Sequence, residues 1–128
     1  AKDRLFQMDL QRRLSQGKLS ELLGDDLVEI DIMFRTYLFK NWAENYLSSS
    51  NLSEESLSYV NAFVEGVNHF VETGEKPFEY YLLNANVESF SVVDVASMTA
   101  YMAFTFMDGI RFDGLYTMLK EKVGEKNI

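Results

Sequence analysis

Apolar residues recur at spacings of three and four along most of the chain, and no run alternates long enough to make a strand, so the pattern predicts an all-α protein. Phe6, Leu10 and Leu14 form one stripe of a first helix over about residues 3–16, and Gly17 stands where a left-handed stop would end it. Only Ala1 and Lys2 precede this helical pattern, which suggests a cut inside a larger domain. A short turn at about residues 19–23 stops at Gly24, after which Asp25 or Asp26 caps a longer helix over about residues 26–47. Its expected inward stripe is Ile30, Met33, Phe34, Tyr37, Leu38 and Trp42.

Beyond a polar linker, Ser53 followed by Glu54 and Glu55 gives a capped, acidic first turn, and the next helix runs over about residues 54–73. Leu57, Val60, Phe63, Val64, Val67, Phe70 and Val71 make its stripe wide enough to pack against more than one neighbour. Gly74 and Pro77 end it, and the aromatic segment Phe78 to Phe90 lacks clear periodicity, which leaves its fold open, one helical turn followed by a loop being one reading. Ser91 with Asp94 three residues on is a capping box, which opens a strongly apolar helix over about residues 92–107. The stretch Asp108-Gly109-Ile110-Arg111-Phe112-Asp113-Gly114 is expected to break the chain before a last helix over about residues 113–123.

Composition narrows the function classes. With 128 residues, 47% of them hydrophobic, the chain suits one domain with a real core. A net charge of −8 argues against nucleic acid as a partner, because phosphate binding needs clustered Lys and Arg. No cysteine is present, which excludes disulfides, a thiolate nucleophile and Cys-ligated metals. No run reaches the roughly 20 apolar residues of a membrane span, and the first residues do not form a signal peptide, so no membrane partner is expected.

Candidate chemistry is sparse. His69, the single histidine, sits beside Asn68 on a helix striped with Val and Phe and reads as an ordinary helix residue rather than a general base. The 108–114 stretch offers oxygens to a hard cation such as calcium, but it lacks the carboxylate spacing of an EF-hand and carries Arg111 in its middle, so a turn is the better reading. Met102 and Phe106, four residues apart, share a helix face that Phe104 does not. Some of this Met- and Phe-rich surface must therefore face something other than one partner helix, either a pocket or another chain.

Ala1 to Leu14, AKDRLFQMDLQRRL, resembles the penicillin amidase (penicillin acylase) family's α-chain run that leads through Asp-Arg-Leu-Phe/Trp-Gln-Met to paired arginines. Gln16 to Gly24, Asp31 to Arg35, Leu52-Ser53-Glu54-Glu55 and Glu65-Gly66-Val67-Asn68 follow the family in the same order. Pro77 to Asp94 matches more loosely, with Phe90-Ser91-Val92 where a Trp-x-Pro is usual. Met102-Ala103-Phe104-Thr105-Phe106-Met107-Asp108 resembles a segment that reads Met-Ala-Asn-Arg-Phe-Ser-Asp in penicillin G acylases.

The resemblance implies a helical segment of the α chain of an N-terminal-nucleophile hydrolase, without the αββα sandwich core. In that family a precursor cuts itself into α and β chains, and the serine that begins the β chain attacks with its own amine as base, so no catalytic residue is expected in this chain. Met102 and Phe106 would line the acyl pocket. Thr105 stands where penicillin G acylases place an arginine that holds the substrate carboxylate, and Asp113 falls near a glutamate that ligates a structural calcium. The implied partners are the β chain and an acyl amide substrate. No cofactor is expected for catalysis, family members are often exported, and the segment by itself is expected to be inactive and to self-associate. A sister activity is acyl-homoserine-lactone acylase. From another class, a free-standing helical interaction module fits the same apolar surface, and continuation of the reading frame into a long β chain discriminates the two.

Overall fold

The computed structural model describes residues 1–49 and 52–124, apart from the side chains of Asp108, Ile110 and Arg111. Among the described residues it contains seven α-helices and no strand: α1 (Leu5–Gln16), α2 (Ser20–Leu23), α3 (Val28–Tyr37), α4 (Phe39–Ser48), α5 (Glu54–Thr73), α6 (Phe78–Leu82) and α7 (Val92–Val123). Helix α1 lies at the centre and packs on α3, α4 and α7, while α7 also packs on α4 and α5. None of the helices so described is long and apolar enough to cross a membrane.

Local chemistry explains several helix ends. Gly17 adopts φ 64° and ψ 50°, which lets its N–H bond the Leu14 carbonyl at 3.0 Å while the Lys18 N–H reaches the Arg13 carbonyl at 2.8 Å. This pair of bonds is a Schellman motif and needs a left-handed residue at that position. The Ser53 hydroxyl accepts the Ser56 N–H at 3.1 Å to start α5, and Ser91 with Asp94 forms a reciprocal capping box at the start of α7.

Three expectations are corrected. Asp25 and Asp26 do not cap a helix with their side chains; they form a 3-10 turn, Asp25–Leu27, ahead of α3. The helix expected over 26–47 is two helices, because Leu38 takes a left-handed conformation with φ 58° and ψ 30°. At 3.6 residues per turn an unbroken helix would aim Phe34 and Phe39 about 140° apart. The break turns both buried rings toward α7, where Tyr101 lies 5.6 Å from Phe34 and 6.4 Å from Phe39. Consequently Ile30, Met33, Tyr37, Leu38 and Trp42, expected to face inward, are exposed to a third or more.

The 108–114 stretch is the third. It is helical throughout, so the expected helices 92–107 and 113–123 are one helix of 32 residues. A glycine inside a helix costs only about 1 kcal/mol relative to alanine. Gly109 and Gly114 have nothing within 4 Å of where a Cβ would stand, so no close packing compels a turn at either.

The apolar core gathers Leu5 of α1, Val64 and Val67 of α5 and Phe90 of the segment before α7, with Met8, Val60 and Phe70 against them. Burying a side chain such as Phe90 is worth about 1.5–3 kcal/mol. The inward side of α1 is otherwise polar: Asp9, Arg12, Arg13 and Ser15 are buried, whereas Phe6, Leu10 and Leu14 are only half-buried.

Candidate functional site

Asp9 is wholly buried and its carboxylate is saturated. Oδ1 accepts from Nε of Arg12 at 3.0 Å and also from Nη2 of Arg12, and Oδ2 accepts from Nε of Arg13 at 3.1 Å and from the Tyr80 hydroxyl at 2.8 Å. The two arginines stand three and four residues after Asp9, the spacings that bring helix side chains together. Burial, and a hydrogen bond into a carboxylate that is itself negative, push the Tyr80 phenol well above its ordinary pKa. Tyr80 therefore acts as a fixed donor, and the group is a structural ion cluster whose charges are compensated by geometry.

Asp31 does a similar job at the start of α2. It accepts from the Leu19 N–H at 2.7 Å, the Ser20 N–H at 2.9 Å and the Ser20 hydroxyl at 2.6 Å, satisfying amides that a helix start leaves open. Burial raises its pKa, but the Ser20 and Leu19 hydrogen bonds and the charge of Arg35 outweigh this and hold the carboxyl below its ordinary value. Arg35 Nε in turn donates to the Gly17 carbonyl at 2.8 Å, which ties α3 to the end of α1.

The segment ahead of α7 is held by side chains from two helices. Arg12 Nη1 donates to the carbonyls of Glu88 and Ser89, both at 3.1 Å, and its guanidinium lies 4.3 Å from the centre of the Phe90 ring. Asn68 of α5 donates to the Phe90 carbonyl at 2.9 Å and accepts the Phe90 N–H at 2.7 Å. Gln16, the last residue of α1, donates to Oδ1 of Asp94, whose Oδ2 accepts the Ser91 N–H at 2.6 Å.

Helix α7 then presents two unlike faces. Tyr101 and Phe104 turn toward the α3–α4 elbow, where Phe104 lies 4.7 Å from Tyr37 and 5.6 Å from Phe39. Met102 and Phe106 lie on another side and are 52% and 76% exposed, so they are not core residues of this chain. Thr105 is also exposed, with its hydroxyl bonded back to the Met102 carbonyl at 2.7 Å. Asp113 shares the Met102–Phe106 side by helical spacing and is exposed. Among the described residues no three His, Asp or Glu are grouped to hold a metal ion. Asp113 offers one carboxylate of the six to eight oxygens calcium takes, and within a helix the carbonyls are already bonded. His69 is exposed, and its backbone carbonyl accepts the Thr73 hydroxyl at 2.7 Å.

What fold and site define is an all-helical scaffold, tied by buried charges, that holds out an apolar helix face. Its family follows from comparison: the penicillin amidase family model matches residues 1–128, and the chain belongs to that family. Penicillin acylase 2 proenzyme from Pseudomonas sp. (strain SE83) is 38% identical over 69% of this chain and 11% of its own length. Penicillin G acylase from Escherichia coli is 29% identical over 97% of this chain and 16% of its own length. Acyl-homoserine lactone acylase QuiP from Pseudomonas aeruginosa is 27% identical over all of this chain and 15% of its own length. The chain thus spans 11% to 16% of the length of these relatives.

Sequence reasoning missed the Asp9–Tyr80 bond and the roles of Gln16 and Asn68. The spacing of Asp9, Arg12 and Arg13 was the available signal for a cluster on one helix face, but nothing local says that this face points inward.

Proposed function

We propose that this chain is the acyl-selecting, non-nucleophilic part of an amidase-type hydrolase that cleaves linear acyl amides to a carboxylic acid and an amine. The observation that carries this reading is the exposure of Met102 and Phe106 on one face of a helix of a penicillin amidase family member, where large apolar side chains are left half or more uncovered by this chain. Neither side chain can form or break bonds; a thioether and a phenyl ring select an acyl group by shape and burial. The nucleophile is supplied by a β chain that begins with serine, in keeping with a relative whose name is that of a proenzyme. Asp113 would need ligands from elsewhere to take part in a structural calcium site.

Burial of an acyl group is worth about 25 cal/mol per Å², so Phe106→Ala in the intact enzyme costs about 1 to 3 kcal/mol of discrimination between aromatic and short aliphatic acyl amides. The test is kcat/KM for both substrates in wild type and variant. Equal losses on both mean damaged folding and remove the reading. A second reading, acylase activity on acyl-homoserine lactones, is favoured by the match to QuiP along the whole chain, and a set of lactones with acyl tails of different length tests it.

A further inference from the structure

Met102 and Phe106 stand far along a helix whose direction is set at its start. Phe106 is 15 residues beyond Ser91, about 22 Å along the axis, so a tilt of about 5° at the N-terminus moves its ring by about 2 Å. Two clamps oppose such a tilt. One is the aromatic elbow, where Phe34, Tyr37 and Phe39 meet Tyr101 and Phe104. The other is polar and acts at the N-terminus itself. There Asp94 divides its two oxygens between Gln16 of α1 and its own helix cap at Ser91, while Arg12 and Asn68 fix residues 88–90 immediately upstream. The cap and the bridge to α1 share one carboxylate, so the helix cannot rotate or slide at its start without breaking a bond to α1.

We propose that Gln16 and Asp94 are positioning residues for acyl specificity: their bridge sets where the Met102–Phe106 face stands, and thereby how large an acyl group is accepted. This rests on the acyl-selecting role proposed for that face. Gln16 contacts neither residue and lies on a different helix, so its influence on selectivity would run through the placement of α7.

The test uses the intact processed enzyme and compares kcat/KM for a phenylacetyl and an acetyl amide of the same chromogenic amine. Gln16→Glu sets a second carboxylate against Asp94 and is expected to lower the phenylacetyl-to-acetyl ratio about tenfold, while acetyl turnover stays within about twofold. Adding Asp94→Asn to Gln16→Glu restores a donor to the bridge and is expected to recover most of the ratio, which damage of a merely structural kind would not do. Gln16→Met keeps the length but removes the donor, and it should lower the ratio too, without relying on charge repulsion. An unchanged ratio in Gln16→Met, equal losses on both amides, or no recovery in the double variant overturns the proposal. Phe106→Ala separates the two levels. If it shifts the ratio and the Gln16 variants do not, only the positioning role fails; if it shifts nothing, the acyl-selecting face fails and the positioning role with it.

Discussion

The Tyr80 hydroxyl donates a 2.8 Å hydrogen bond to Oδ2 of Asp9, joining α6 to a carboxylate 71 residues earlier that already binds two arginines. Removing Asp9 leaves Arg12 buried without a carboxylate and Arg13 with only the half-exposed Glu21 at 3.4 Å, and such a loss costs about 3–5 kcal/mol. Removing only the phenol oxygen leaves the ion pairs in place, so Tyr80→Phe costs about 1–2 kcal/mol. Denaturant unfolding should rank Asp9→Ala well above Tyr80→Phe; equal costs would mean that the arginines find other partners.

Asp31 gives the fold a pH dependence of definite sign. Its folded pKa lies below the ordinary 3.8, so its contribution is fully present above that value and is lost as pH falls through the depressed folded value. Asp31→Asn should be less stable than wild type by about 1–3 kcal/mol at neutral pH, and the gap should narrow below pH 3.8. A gap that does not change with pH would refute the assignment.

Two left-handed residues should respond in opposite directions. A Cβ on Gly17 would stand 2.4 Å from the Asp31 carbonyl oxygen and 2.6 Å from Cγ of Arg35, at φ +64°. Gly17→Ala should therefore cost about 1–3 kcal/mol. Leu38 is exposed and holds φ 58° with a branched side chain, so Leu38→Gly relieves strain and should stabilise by about 0.5–1 kcal/mol. Thermal unfolding of both variants checks the pair.

Thr105 is exposed and uncharged, one residue before Phe106. In the intact enzyme Thr105→Arg should improve kcat/KM selectively for substrates whose amine portion carries a carboxylate, since an arginine fork binds that group in two places. Equal change for neutral and carboxylate-bearing amines would count against a role for this position in recognition.

As an isolated polypeptide, residues 1–128 should self-associate and show no amidase activity. Phe106, Met107, Phe112, Tyr116 and Met118 are all more than half exposed, and large apolar side chains exposed along one helix favour association. Light scattering at rising concentration and turnover of a phenylacetyl chromogenic amide test the two statements; a strict monomer or measurable turnover would defeat the corresponding one.

The sequence by itself determined what depends on neighbours within a few residues. The Gly17 stop, the Ser53 cap and the Ser91–Asp94 box are bonds across three to five positions, and the all-helical class follows from spacings inside each segment. The family resemblance was legible for the same reason, since its landmarks are short runs in order. Only the tertiary structure decided which faces turn inward. Arg12 and Asp9 are buried because Tyr80, Glu88 and Ser89 meet them from 71 to 77 positions away, and Asn68 finds Phe90 across 22 residues. Leu38 breaks its helix although nothing in its own chemistry calls for it, because the break lets Phe34 and Phe39 reach the same side of α7. Gly109 and Gly114, which locally invite a turn, stay helical: the cost of a glycine within a helix is small, and the ladder of backbone bonds on either side carries through them.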